Sequence, residues 1–521
     1  MAKSTRTLVT AGLMIGMMLS AVDQTIAATA LPTIVGDLGG LERMSWVTTA
    51  YMLASVPTVP ITGKLVDLFG RRRWYLIGVL LFLAGSAASG LAGNMTQLIC
   101  FRVLQGLGGG MIMPITHTII GDLYPGPARA KMQGLFASAY GLASVLGPKL
   151  GGTIVEAWDW RWVFFINLPI GLAAAALVAA GLKEAVVRGV RRIDYGGATA
   201  VAAGTVCLLV GLDRAGTVAW TDPLAITMFG VALALLTLFV VLEARAEEPI
   251  LPLQFFRNSI FTVGGIVSLL MSAGFFGAIV FVPLFLQAVV GTGPSEAGTA
   301  LTPMILGMVV ASAVCGRSLL HVSYRVQLGL GLLVAAVGFF LLSTLTVDAT
   351  RSQVILFTFI TGVGCGLGIP TVTIAVQNEL PASNRGVATA SVHFFRAVGS
   401  AVGTSLFGAI LNMQAARLVP MRLAPVLAGE TANPSVASLR HLVEVAPQQA
   451  FQWLLGRGAT GTSPAALSEP VARALASALA GSLQIVFLWA CAFAATAGLS
   501  TLFMSGARLV ARRNEEGEDS A

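Results

Sequence analysis

The sequence predicts an all-α membrane protein of fourteen transmembrane helices, arranged as two six-helix bundles with two further helices inserted between them. Composition, the spacing of apolar runs and an internal repeat carry that prediction. Of 521 residues, 56% are hydrophobic and 11% are charged, with a mean hydropathy of +0.83. Soluble domains are about 25% charged, so this chain cannot coat itself in water. A soluble enzyme, a nucleic-acid-binding module and a disordered scaffold are excluded. The net charge of +8 is spread through so apolar a chain that it forms no basic domain, and no nucleic-acid partner is expected. Cys100, Cys207, Cys315, Cys365 and Cys491 lie in apolar stretches with no paired spacing. They read as small core residues, neither disulfides nor metal ligands.

A helix needs about 20 mostly apolar residues to cross a bilayer. Such runs begin near Leu8, Trp46, Trp74, Thr96, Met132, Trp162, Tyr195, Pro223, Ser259, Pro294, Val326, Gln353, Val387 and Ala478. The first resembles a signal peptide, with Lys3 and Arg6 before the apolar run, but Asp23 interrupts it. It reads as a retained first helix. One connection is long, Ala415 to Ser477, with six prolines and patches such as Phe451–Leu455 that suit a membrane surface. Glu515 to Ala521 form an acidic tail.

The chain also repeats itself. Phe101, Gly106, Gly108, Gly110 and Pro114 match Phe357, Gly362, Gly364, Gly366 and Pro370 at a constant offset of 256, and Pro125 and Arg129 match Pro381 and Arg385 at the same offset. Around Gly63 and Arg72 a weaker match to Gly316 and Arg325 has an offset of 253. The expected division is residues 1–185, an inserted pair at 186–256, and residues 257–521. Parallel repeats of this kind place a substrate site between the halves near the bilayer midplane.

Basic residues set the orientation. Lys3, Arg6, Lys64, Arg71, Arg72, Arg73, Arg129, Lys131, Lys183, Arg245, Arg257, Arg317, Arg325 and Arg385 fall on one side with the termini, whereas the short loops opposite carry Arg43, Arg161, Arg214 and Arg351. Positive charge collects on the cytoplasmic side, so both termini are expected there, in a multi-pass protein of the plasma (inner) membrane.

Five stretches resemble the fourteen-helix drug:proton antiporter family of the major facilitator superfamily. They are Asp23-Gln24-Thr25-Ile26 with Ala30-Leu31-Pro32; Gly63 to Arg73; Arg102-Val103-Leu104-Gln105-Gly106; Gly141 to Gly152; and Trp160-Arg161-Trp162 with Asn167 to Gly171. The resemblance implies the major facilitator fold and proton-coupled transport by alternating access. It further implies that Arg102 and Arg396 take part in proton coupling. Gly63, Asp67, Gly70, Arg71 and Arg72 would latch the halves in the outward-facing state. Gly141, Gly147, Pro148, Gly151 and Gly152 would form the antiporter seam on the fifth helix.

The residues themselves support parts of this. Asp23 is the one acid in the middle of a span, and such a group is costly unless paired, hydrated or protonated. Gly16, Ser20, Asp23, Ala27 and Ala30 share one small face, which suits a proton-titrating, cation-attracting group facing a cavity. Arg102 cannot lose its proton and needs an anionic or carbonyl partner. Contact with Asp23, completed by Gln105, would make a switch. A clamp on backbone carbonyls remains the bland alternative. Asp67 is placed to cap a neighbouring helix, with the arginines reaching acids such as Asp122. Lys149 departs from the family pattern, and either snorkels to the interface or enters the cavity. His393 shares a face with Arg396 and is of a residue type able to titrate near neutral pH, although such histidines commonly serve packing; His117 reads the same way.

The expected function is proton-driven efflux of amphipathic small molecules. The alternatives are a dedicated exporter of one metabolite or antibiotic, a lipid translocator and a channel. No phosphate loop for ATP occurs, and no enzyme activity, metal or cofactor is expected. Substrate, protons and the lipid bilayer are the expected partners of a monomer.

Overall fold

In a computed structural model the described residues are 3–39, 43–44, 46–124, 126–183, 194–218, 220–292, 301–319, 321–429, 451, 454 and 468–506. The acidic tail, the boundary at 185/186 and most of the long loop lie outside them. The described chain is helical: α1 (Lys3–Leu38), α2 (Trp46–Phe69), α3 (Arg71–Gly90), α4 (Met95–Leu123) and α5 (Gly126–Ala157) come first. Then follow α6 (Trp162–Gly181), α7 (Tyr195–Thr217), α8 (Pro223–Glu243), α9 (Ser259–Phe285) and α10 (Thr302–Ser318). The last are α11 (Tyr324–Ser343), α12 (Arg351–Glu379), α13 (Arg385–Gly429) and α14 (Glu469–Ser500). No strand occurs among the described residues.

Twelve of these helices are long and apolar enough to cross a membrane. The expectation of fourteen spans exceeds that number by α5 and α10. In α5 the uncharged stretch between Lys131 and Lys149 is diluted by Gln133, Ser138, Ser144, Pro148 and glycines, and α10 has 17 residues. Helices are the natural outcome, because in hydrocarbon each backbone N–H and C=O must be satisfied within its own segment. Polar caps mark where they begin: Asn94 accepts from the Gln97 N–H, Asp222 from Ala225 and Ser323 from Val326. A capping box pairs Thr350 with Gln353.

The loop expected at 415–477 is shorter than the hydropathy suggests. Helix α13 runs on to Gly429 despite Pro420 and Pro425, and α14 starts at Glu469. The reason is packing. Ala415, Val419, Leu423 and Leu427 recur every fourth residue and are buried, so the apolar stripe of α13 continues well past the length of a membrane span.

Helices α1–α6 pack chiefly with one another, as do α9–α14. Helix α2 meets α13, α4 meets α13, and α5 meets α10 and α12 across the boundary. The pair α7 and α8 docks beside that boundary, where Leu209 packs with Val56 of α2 and Val398 of α13. The repeat is visible in three dimensions. A Cβ on Gly106 would meet the Tyr51 carbonyl oxygen, and one on Gly362 the Met304 oxygen; Gly110 and Gly366 likewise face the Ser55 and Met308 oxygens. Gly108 and Gly364 lie against the Phe82 and Ala335 amides. Tyr51 to Met304, Ser55 to Met308 and Phe82 to Ala335 are each 253 residues apart, the offset of the weaker sequence match.

Candidate functional site

Asp23 sits at the meeting point of α1, α4 and α6, with none of its surface exposed. Its Oδ2 accepts from Arg102 Nη1 at 2.8 Å. Its Oδ1 accepts from Gln105 Nε2 and Asn167 Nδ2, both at 2.8 Å. Arg102 is 1% exposed. It also donates from Nη1 to Gln105 Oε1 at 2.8 Å and from Nε to the Val47 carbonyl at 3.2 Å. Its guanidinium lies 4.5 Å from the Tyr51 ring centroid and 5.8 Å from that of Phe164. Asn167 Nδ2 donates in addition to Ser86 Oγ at 2.9 Å, which donates to the Phe164 carbonyl. A buried charge survives only when paired and hydrogen-bonded, and here the carboxylate has three donors and the guanidinium has three acceptors and two aromatic faces. Protonating Asp23 would cancel the charge that holds Arg102 and remove one acceptor position.

The structure thus joins Asp23, Arg102 and Gln105, and adds Tyr51, Ser86 and Asn167. In the sequence Asn167 stands within a motif, with nothing that marks it as a member of the network. The available signal was an amide within an apolar span, which in hydrocarbon must find a polar partner. Tyr51 carried no signal of its own.

A second constellation spans the boundary between the helix groups, at the end of the molecule that carries Arg71, Arg72 and Arg73. Asp67, at the end of α2, accepts from the backbone N–H groups of Gly386 and Val387, each at 2.9 Å. These are free donors at the first turn of α13, where the helix dipole favours negative charge. Arg71 Nη2 donates to Asp67 Oδ1 at 3.2 Å, and its Nε to Asp122 Oδ2 at 3.0 Å. Asp122 Oδ1 also accepts from Arg385 Nη1 at 2.5 Å, so acids and arginines alternate across the seam. Gly63 faces Ala390 and Gly386 so closely that a Cβ would lie 2.4 Å from the Ala390 Cβ. Gly70 has φ 100° between α2 and α3, a conformation glycine adopts without strain. Arg72 bonds elsewhere, donating to the Ala179 carbonyl at 2.8 Å. It ties α3 to α6.

The α5 glycines serve two neighbours. Gly147 and Gly151 face Thr25 and Thr29 of α1, whereas Gly141 faces Ile305 and Met308 of α10. Pro148 is exposed, and nothing lies within 4 Å of a Cβ built on Gly152. Lys149 is exposed on the same side as Leu146 and Leu150. Arg396 stands apart from Asp23. It donates from Nη2 to the Ile369 carbonyl at 2.7 Å and to Thr373 Oγ1 at 2.9 Å, both on α12. His393 packs against His117.

Comparison with known proteins gives the family. The family described as Major Facilitator Superfamily matches residues 13–404. "Multidrug transporter protein MdtP" of Bacillus subtilis (strain 168) is 42% identical over 520 residues, covering 99% of this chain and 96% of the relative. "Multidrug resistance protein 3" of the same organism is 36% identical, covering 96% and 95%. "Tetracenomycin C resistance and export protein" of Streptomyces glaucescens is 31% identical, covering 91% and 88%. Among solved structures, the proton:xylose symporter XylE superposes with a TM-score of 0.61 at 12% identity, covering 98% and 99%. The human organic anion transporter MFSD10 does so with a TM-score of 0.56 at 13% identity, covering 93% and 99%. A chain whose described residues are helical, twelve of those helices long and apolar enough to cross a membrane, and which one family matches along most of its length, is a multi-pass membrane transporter, and it belongs to the Major Facilitator Superfamily.

Proposed function

We propose that the protein is a proton-coupled antiporter that expels amphipathic small molecules by alternating access. The observation that carries this reading is the fully buried Asp23–Arg102 pair with its Gln105 and Asn167 donors. Of the relatives, one is named a multidrug transporter, one a multidrug resistance protein and one a tetracenomycin C resistance and export protein, which supports drug-like cargo. On this reading all fourteen helices span the inner membrane, with α1–α6 and α9–α14 as the two moving bundles and α7–α8 as the insert. The end bearing Arg71, Arg129 and Arg385 and both termini are cytoplasmic, by the positive-inside bias. The Asp67 and Asp122 contacts hold the bundles together at that end, which fits an outward-facing or closed state. A proton from outside neutralises Asp23, loosens Arg102 and frees α1 and α4 to move against each other. The chain acts as a monomer, with protons and cargo as its partners.

The test is a panel of amphipathic dyes and antibiotics in everted vesicles. Efflux should stop when a protonophore collapses the gradient and continue when ATP is depleted at constant gradient. The Asp23→Asn variant should lose gradient-driven transport of each substrate. Efflux that survives the protonophore while ATP is maintained defeats the proposal.

A further inference from the structure

A second titratable cluster, with His117 buried and His393 half-buried, has no use in the scheme above. His117 on α4 and His393 on α13 meet across the boundary between the helix groups, with ring centroids 4.8 Å apart and planes 34° from parallel. His117 Nδ1 is hydrogen-bonded to Gln133 Oε1 of α5. Gln133 Nε2 donates to the His117 carbonyl and to Gln377 Oε1, each at 3.4 Å. Gln377 Nε2 donates to the same carbonyl at 3.1 Å and to Thr389 Oγ1 at 2.8 Å. His393 Nε2 is shut off from solvent and has no hydrogen-bond partner. Four helices from both groups thus converge on two imidazoles, one with an unused buried nitrogen. Along α4, His117 lies fifteen residues from Arg102, roughly 22 Å at the rise of an α-helix. The cluster is therefore separate from the Asp23 site.

We propose that the His117–His393 pair is a second proton-binding site, and that its protonation opens the end of the bundle closed by Asp67 and Asp122. The proposal rests on the reading above only for calling that end cytoplasmic. Two neutral rings can stack in a dry seam, but an imidazolium needs an anion or water. The groups around the pair are Gln133 from α5, bonded to the His117 ring; Gln377 from α12, bonded to the His117 carbonyl; Thr389 of α13 and Thr373 of α12, bonded to Gln377 and to Arg396 respectively; and Arg396 itself, one turn beyond His393. The first four are uncharged and the last is a cation. Asp122, the acid toward the nearby helix end, is already held by Arg71 and Arg385. A proton on either ring therefore meets Arg396 and no counter-charge while the seam is closed. Separating the groups carries His117 of α4 away from Arg396, and admits water that screens a charge on His393, which shares α13 with Arg396. A state that binds a proton better is favoured as pH falls, so the open state gains on acidification. Acid in the cytoplasm would then favour the cargo-loading, inward-open form.

The experiment measures an inter-group distance by pulsed electron resonance between spin labels at Arg73→Cys and Ser383→Cys, exposed positions at that end. The five native cysteines are replaced by alanine in the full chain. An Asp23→Asn/Arg102→Gln background removes the other buried pair. Between about pH 7.5 and pH 5.5, the range in which imidazoles titrate, the distance distribution should shift to longer values. His117→Gln and His393→Asn should each abolish the shift, and His393→Arg should hold the longer distance across the range. A distance that does not respond to pH, or responds equally with either histidine replaced, overturns the proposal. Transport by Asp23→Asn reports on the ion pair alone, so the two readings fail separately.

Discussion

Asp23 and Arg102 form a pair in which altering one partner alone is expected to destabilise the fold. Replacing Asp23 by Asn keeps size and much of the hydrogen bonding, yet leaves the Arg102 guanidinium buried without its counter-charge. Breaking one partner of a buried pair typically costs about 3–5 kcal/mol, whereas replacing both by neutral groups is often harmless. Asp23→Asn is therefore expected to lower the unfolding midpoint of the purified protein, and Asp23→Asn/Arg102→Gln to recover most of it. Neither should regain proton-driven transport. Thermal unfolding beside vesicle transport checks this, and equal midpoints for the single variant and wild type would show that the pair is not held as a pair. Asn167 belongs to the same calculation, because its amide serves Asp23 and Ser86 together.

Between elements, the contact of α2 with α13 turns on a carboxylate that caps a helix in the other bundle. Asp67 supplies two oxygens to two backbone donors and a charge to the helix dipole. Asn offers one acceptor oxygen and no charge. Loss of a cap costs about 0.5–2 kcal/mol, so the closed state should weaken severalfold relative to the open one while the bundles stay folded. Asp67→Asn should insert normally and turn over several times more slowly, measured as transport per molecule of inserted protein. Wild-type turnover would assign the cluster to topology alone. Gly386 is the tighter control, since a Cβ there would lie 2.6 Å from both Asp67 Oδ1 and the Gly63 carbonyl oxygen.

Across the whole molecule, the glycine ladders of α4 and α12 set how closely each bundle packs. A Cβ on Gly362 would lie 1.9 Å from the Met304 carbonyl oxygen, and one on Gly106 would lie 2.4 Å from that of Tyr51. Both atoms belong to helix backbone and cannot swing away, so the helices must part. Gly362→Ala and Gly106→Ala should each cut the yield of monodisperse protein and lower its unfolding midpoint. Gly152→Ala, with open space around it, should behave as wild type. A stable Gly362→Ala protein would mean that α10 and α12 are not in the contact described.

The order of the helices, the duplication and the isolation of Asp23 were legible in the sequence, because each is local. Hydropathy accumulates along a segment, a repeat is a fixed offset, and one acid in an apolar run stands out. The pairing of Asp23 with Arg102 and Gln105 was within reach, since each is too polar to be left alone in hydrocarbon. Tyr51 and Ser86 were not, because an aromatic ring or hydroxyl in a span has many adequate homes and only packing chooses one. Helix ends beyond the hydrocarbon length escaped for a similar reason, with α13 continuing where its stripe still finds α14. Resemblance groups Arg396 with the proton-coupling residues, and the tertiary structure shows its side chain bonded to Ile369 and Thr373 of α12. Single-chain periodicity specified the elements and the costly groups within them. The partner of each costly group was decided by the tertiary structure, because burial and charge pairing depend on which helices cross and how closely.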